Sequence, residues 1–413
     1  MKIFLAMAMR NSCLLMLVFL SIQIPVAKAD AVSDWNKRAG DIVVNANIGP
    51  LPAERALAIV QASVYEAVNA ITQRYPVNDL NLPATAGASI DAAIAAANRI
   101  ALTELVPNQE MAIAQAYRDA IKVINDGSAK QAGIAVGEKA AHAVLALRAD
   151  DGASAKESYR PFTRAGVYVP TVIPEAPQWS KRKPWLMTHA AQFRPAPPPD
   201  LTSEHWARDF NEVKMLGRSD SQTRTAEQTA IAHFWEEVMP PIYHGVVRSI
   251  TTQPGREITQ NARLFAAVTQ AVDDGLIAVF DAKYHYAFWR PVTAIRNGDI
   301  DGNDATASDD SWTPLIATPM HPEYPCAHCI VSAAVGTVLQ AEIGENATPV
   351  LTTVSQAAGN RSRSWQSLDE FMQEVVNARI YDGVHYRNSG EIGAQMGRQV
   401  AQLAIKKYQL NQN

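Results

Sequence analysis

Apolar residues recur every three or four positions along this chain, and that period constrains the fold more than any other feature. Leu57, Val60, Val64, Val68 and Ile71 fall on one face of a helix, with Pro52 and Glu54 near its start. Ile90, Ile94, Ala97, Ala101 and Leu105 repeat the pattern before Pro107. Ile113, Ala116, Ile121 and Ile124 predict a third helix, and the stretch from Ile134 to Leu147 a fourth. Each stripe is wide enough for a bundle, and the alanines among the contact positions permit close helix approach. Further on, Thr225 and Gln228 read as a capping box, with Pro240-Pro241 expected to stop that helix. Leu264, Val268, Val272, Leu276 and Phe280 predict a long helix from about Asn261 to Trp289, and Ile392, Met396, Val400 and Leu403 a last one after Ser389. No period-2 series appears. The expected class is therefore all-α, a helical bundle.

Proline interrupts this pattern once at length. Pro161, Pro170, Pro174, Pro177 and Pro184 lead to Arg194-Pro195-Ala196-Pro197-Pro198-Pro199, a density that no helix crosses. Trp179, Trp185 and Phe193 within it predict a segment packed onto the surface. Residues 155–215 are read as this ordered connection, between a helical region at 30–154 and a second at 216–413.

The first 29 residues read as an address. Lys2, Arg10 and Lys28 are present without an acid, an apolar run spans Cys13 to Leu20, and Ala27-Lys28-Ala29 offers small residues where a signal peptidase cuts. The apolar run is shorter than the ~20 residues a membrane span needs. A cleaved signal peptide, a periplasmic or secreted protein and no integral membrane association are the expectations. Cleavage would move the formal charge from −4 to −7 and remove Cys13, leaving Cys326 and Cys329 in an oxidising space. That charge excludes nucleic-acid binding by bulk basicity.

Three segments of the last third concentrate residues with chemistry. Lys283 and Arg290 stand seven apart in an aromatic stretch, so one helix would present both cations on one face. His321-Pro322-Glu323-Tyr324-Pro325-Cys326-Ala327-His328-Cys329 reads as a loop entering a helix near Pro325, whose first N–H groups are free for an anion, with His328 in the first turn. Arg379 and His385 supply a third cation and a second imidazole. Together these residues suit an oxyanion.

Their spacing resembles the three-part signature of the type 2 phosphatidic acid phosphatase and vanadium haloperoxidase superfamily. Lys283-x6-Arg290-Pro291 corresponds to K-x6-R-P, Pro325-Cys326-Ala327-His328 to the ends of P-S-G-H, and Arg379-x5-His385 to the core of S-R-x5-H-x3-D. The stretches from Asp281 to Arg296 and His321 to Pro325, and residues 52–75, look like the exported bacterial haloperoxidase-like branch. The resemblance implies a helical bundle in which Lys283, Arg290, Arg379 and a backbone N–H near Ala327 bind the oxygens of vanadate, or of phosphate as substrate. His385 would be the axial vanadium ligand, or the phosphorylated nucleophile of a phosphatase, and His328 the general acid/base. The implied partners are small molecules, either peroxide and halide or a phosphate ester. The sequence carries no signal of oligomeric state.

The departures set the alternatives. Cys326 replaces the serine expected to donate to the anion, Ala327 the glycine, Ala378 the third-motif serine and Ser389 the aspartate that would orient His385. Asp382 and Glu391 are the candidates for the missing acid. Cys326 and Cys329 stand at disulfide spacing on a helix; a buried free pair, a redox dithiol, or zinc shared with His321 and His328 are the other readings. The loop at Asp299 to Asp310 reads as solvated acid with a weak likeness to a calcium loop. Haloperoxidase comes first, phosphomonoesterase second, and a non-catalytic oxyanion or dithiol module third.

Overall fold

The structure, a computed structural model, describes residues 30–77 and 80–410, and the expected signal peptide at 1–29 lies outside them. The first half holds Ala31–Asn45 (α1), Pro50–Thr72 (α2), Ile90–Leu105 (α3), Glu110–Lys122 (α4) and Ser128–Arg148 (α5). After the proline-rich connection come Glu204–Leu216 (α6), Ala226–Phe234 (α7), Pro241–Thr251 (α8), Ile258–Tyr286 (α9) and Pro291–Arg296 (α10). Ala327–Ile343 (α11), Leu368–Tyr381 (α12) and Arg387–Tyr408 (α13) complete the bundle. The all-α class holds, with one addition. Leu351–Ser355 (β1) and Arg361–Trp365 (β2) form an antiparallel hairpin in which Leu351 faces Trp365 and Ser355 faces Arg361. Leu351, Thr353 and Ser355 are buried while Thr352 and Val354 are not. The alternation is real, but threonine and serine on the inner face hide it from hydropathy.

Helices α2, α9 and α11 are buried on nearly every side and form the centre. Small residues set the spacing around them. A Cβ on Gly397 of α13 would sit 2.3 Å from the Ile330 carbonyl of α11, and one on Gly137 of α5 would sit 2.1 Å from the Ala93 carbonyl of α3. Both backbones therefore touch their neighbour directly, and the alanines of α3 serve the close approach expected of them.

Three boundaries differ from expectation. The Thr225–Gln228 capping box is present, but α7 ends at Phe234, and Pro241 opens the next helix at its first turn, where its missing N–H costs nothing. The C-terminal part of the stretch read as connection is helical, as α6. Helix α9 stops at Tyr286, with Ala287 in the left-handed region (φ 48°).

The connection itself is tied to α9. The Arg182 guanidinium bonds both oxygens of Asp273 (2.5 and 2.9 Å) and reaches Asp151 (2.9 Å), all three side chains being buried. Asp274 accepts the backbone N–H groups of Trp185, Leu186 and Met187 at 2.7–2.8 Å. Tyr284 donates its hydroxyl to the Glu175 carbonyl, and Tyr286 donates to Pro195. In the acidic loop, Asp301 accepts from Trp206 Nε1 (2.8 Å) and Thr306 Oγ1 (2.7 Å), so one of its acids is a buried anchor rather than a solvated one. Among the described residues no helix is long and apolar enough to cross a membrane.

Candidate functional site

Lys283, in the last turn of α9, is fully buried and donates from Nζ to the carbonyls of Pro322 and Glu323, both at 2.8 Å. Arg290 does not share its helix face. The chain leaves α9 at Ala287, and Arg290 becomes the residue that caps α10. The two cations converge because both grip the segment 321–323. Arg290 donates from Nε to the His321 carbonyl (2.9 Å), from Nη2 to His321 Nδ1 (3.0 Å), and from Nη1 to the Val384 carbonyl (2.8 Å) and His385 Nε2 (3.2 Å). Arg379, in the last turn of α12, donates from Nη1 to the Trp235 carbonyl (2.9 Å) and pairs with Asp382 (2.8 Å). Its Nε is buried without a partner among the described residues.

His385 follows α12 and is held from one side by an acid that the spacing of the third motif does not predict. Its Nδ1 lies 2.7 Å from Glu323 Oε1. A carboxylate only accepts and a guanidinium only donates. The proton therefore sits on Nδ1, and Nε2 carries the lone pair beside Arg290. Glu323 also accepts the Tyr386 N–H (3.1 Å). Ser389, in the position of the missing aspartate, is buried with Oγ 3.3 Å from the same Nδ1. Neither proposed substitute acts here: Asp382 is engaged with Arg379 and the Val384 N–H, and Glu391 lines a separate surface cavity. Burial, reinforced by Arg290, Lys283 and Arg379, pushes the His385 pKa well down, so the imidazole is neutral. Burial pushes the Glu323 carboxyl up to about 7, against the pull of Lys283 and Arg290. It also drives Lys283 well below its usual value and Arg290 down to about 10. An anion among them would favour their charged forms.

Helix α11 begins at Ala327, as the sequence predicts to within two residues. Ala327 is its first residue, so the departure from glycine strains nothing. Cys326 is the cap. Its Sγ accepts the Cys329 N–H at 3.2 Å, so it serves the helix end and is not among the residues lining the cavity. Cys326 and Cys329 are free and buried, not joined as the expected disulfide, because the first sulfur is turned into the cap. Among the described residues no three histidine, cysteine or acidic side chains gather as a metal-ion cluster, so the zinc reading has no ligand set. His328 Nε2 lies 3.2 Å from the Glu237 carbonyl and donates to it, which leaves Nδ1 as the basic nitrogen.

Arg379, His385, His328, His321 and Ala327 meet at one cavity of about 410 Å³. Leu276, Phe280, Ile316 and Val331 give it apolar walls; Glu54 of α2, Glu175 of the connection, Glu236 between α7 and α8, and Tyr243 of α8 add polar groups. Sequence reasoning missed the roles of Glu323, Glu54 and Tyr243. Glu323 had a visible signal, an acid inside the very segment that carries the histidine; Glu54 and Tyr243 had none.

Residues 263–413 match the family model described as the VCPO second helical-bundle domain. The structure is similar to that of a bacterial vanadium-dependent iodoperoxidase, at 23% identity and a TM-score of 0.78, covering 91% of this chain and 96% of that one. It is also similar to a holo-type bacterial vanadium-dependent chloroperoxidase, at 16% identity and a TM-score of 0.69, covering 94% and 100%. No curated protein matches the chain. The chain has the fold of the vanadium haloperoxidase superfamily, and the resemblance read from its three motifs holds.

Proposed function

We propose that this protein is a vanadium-dependent haloperoxidase, acting on hydrogen peroxide and a halide. The observation that carries the reading is His385: a neutral imidazole fixed by Glu323 at Nδ1, with the buried Arg290 3.2 Å from Nε2 and Arg379 lining the same cavity. The donor set fits vanadate. Lys283, Arg290 and Arg379 would hold its oxygens, with the unpartnered Arg379 Nε as an available donor, and the N–H groups at the start of α11 would assist. His385 would be the ligand. Bound vanadate would supply a Lewis acid that activates peroxide toward halide.

The remaining work belongs to the chain. Glu323 keeps the proton on Nδ1 and the imidazole in orientation, as a partner behind a metal-ligating histidine does. Asp382 orients Arg379. His328, with its Nε2 proton committed to a carbonyl, accepts and returns a proton at Nδ1. Helix α9 and the pinned connection keep bulk water off the cations, which strengthens their field.

The same constellation could transfer phosphate through His385; the two similar structures, both vanadium-dependent peroxidases, favour the first reading. Intact His385, His328 and three cations weigh against a non-catalytic module. The start of the sequence supports export, which we include in the proposal. The test is to assay the purified protein with and without vanadate, on peroxide plus iodide or bromide and on a generic phosphate monoester. Halide oxidation that requires vanadate supports the proposal. Ester hydrolysis inhibited by vanadate, with no halide oxidation, would replace it with the phosphatase.

A further inference from the structure

A second cavity, of about 570 Å³, takes no part in the chemistry above. It is lined by residues of α10, by Trp289 and Arg290 before it, by the segment 163–172, and by Thr318, Pro319 and Met320. The last three also line the cavity of about 410 Å³, so one stretch of chain borders both spaces. Backbone hydrogen bonds fix the lining. Tyr168 donates its N–H to the Ala287 carbonyl (2.7 Å), Trp289 to that of Gly166 (3.1 Å), and Val167 to that of Arg164 (3.1 Å). A turn carrying Arg164 is thereby tied to the residues that lead into α10. Further on, Glu175 donates its N–H to the Met320 carbonyl (2.7 Å), which holds this part of the connection to the shared border.

Charge and apolar surface coincide there. Arg164, Arg290 and Arg296 line the cavity, and among the described residues no carboxylate does. The Arg290 guanidinium is committed to His321, Val384 and His385, so what it adds is charge. Arg164 and Arg296 are exposed, and neither makes an ion pair among the described residues. The Arg164 guanidinium lies over the Phe162 ring, 5.5 Å from its centre, and Arg296 engages only Nε, on the Trp312 carbonyl (2.8 Å). Both keep N–H groups free for a planar oxyanion. Val172, Ile300 and Met320 line the cavity and are exposed, and Phe162 and Ile173 (86% exposed) adjoin lining residues in sequence. Single exposed apolar side chains are ordinary, whereas a group of them at a cavity marks a binding surface. The volume is within the range of organic-ligand pockets. The complementary ligand has an anionic head and an apolar body.

We propose that this second cavity is a binding site for a small organic carboxylate with an apolar body, its head held by Arg164 and Arg296. A guanidinium takes a carboxylate through paired N–H donors, and the apolar side chains at the cavity cover the rest of the molecule. A halide or inorganic phosphate would satisfy the guanidinium groups and leave that apolar surface in water. The site is separate from the one assigned to vanadate, and it stands whether or not the protein is a haloperoxidase.

The test is calorimetry of 2-naphthoate with the purified protein, without peroxide or halide, so its outcome leaves the haloperoxidase reading where it stands. Saturable binding is expected, weakened about 10-fold by Arg164→Gln and by Arg296→Gln, the loss of about one charge-assisted hydrogen bond each. 2-Naphthamide, with the same ring and no charge, should bind more weakly than the acid, and excess vanadate should not displace the acid. Both substitutions are at exposed side chains, and circular dichroism melting checks that each variant folds. Absence of saturable binding, wild-type affinity in both variants, or equal affinity for the amide overturns the proposal. Displacement by vanadate overturns it too, since the naphthoate would then sit at the anion site. Sedimentation with phosphatidylglycerol vesicles that both substitutions abolish, without naphthoate binding, would replace the proposal with a membrane-facing patch.

Discussion

Glu323 is the residue on which the site's chemistry turns. A neutral histidine among three cations could point either nitrogen at an anion, and the carboxylate at 2.7 Å decides which. Removing its charge should therefore act through His385. Glu323→Gln is expected to weaken vanadate binding by about 10–100-fold, as loss of a partner behind a ligating histidine does, with little change in melting temperature. Equilibrium dialysis against vanadate reads it. Ser389→Asp would restore the motif's usual acid, yet the position is taken functionally. A second buried carboxylate beside Glu323 repels it, so this variant should lose stability and vanadate affinity, not gain them. Tighter vanadate binding by Ser389→Asp would show that Glu323 does not fill the role. The residues Lys283, Arg290, Arg379, His328 and His385 were legible because their spacing survives in sequence. Glu323 was legible only as a neighbour: which nitrogen it touches depends on how the 321–323 loop folds back, and no spacing encodes that.

At the scale of elements, helix periodicity placed α9 within three residues at each end, and the start of α11 was read within two. It failed where local geometry overrides the period. Ala287 turns left-handed and ends α9 three residues before Arg290, so the pair's convergence comes from a loop and not from a helix face. The hairpin was invisible because Thr353 and Ser355 fill its inner face. Packing between α1 and α8 also creates a pH dependence. His244 is buried on α8, its Nδ1 accepting from Asn36 Nδ2 at 3.1 Å, and its pKa falls to about 3 through burial and then the Arg248 charge. Between about pH 6.5 and 3 the unfolded chain takes up a proton that the folded chain refuses. Stability from this group is thus full above pH 6.5 and falls as the pH drops, by about 2–3 kcal/mol at pH 4.5. Urea midpoints at pH 7 and 4.5 should show it, and His244→Phe should flatten the difference. An unchanged difference in that variant would refute the assignment.

Over the whole molecule, the cavity draws on distant parts of the chain: α2 and α8 supply Glu54 and Tyr243, the connection supplies Glu175, and α12 supplies Arg379, while Lys283 and Arg290 are buried and hold the segment 321–323. The proline-rich stretch was legible as packed from its tryptophans, but its anchor was not, since Arg182 and Asp273 are 91 residues apart in sequence. Arg182→Ala would leave Asp151 and Asp273 as buried carboxylates without that cation, at a cost of about 3–5 kcal/mol. Urea denaturation should register that loss; a change below about 1 kcal/mol would mean that the connection is held by its backbone bonds to Asp274 instead. The molecule's acidic balance and its cationic centre are compatible because the three cations are buried. The account is tested most directly by titrating vanadate into the purified protein while following peroxide-dependent iodide oxidation. Turnover should rise to saturation with vanadate, fall on addition of competing phosphate, and vanish in His385→Ala. Iodide oxidation that ignores vanadate, or that persists in His385→Ala, would contradict the central claim.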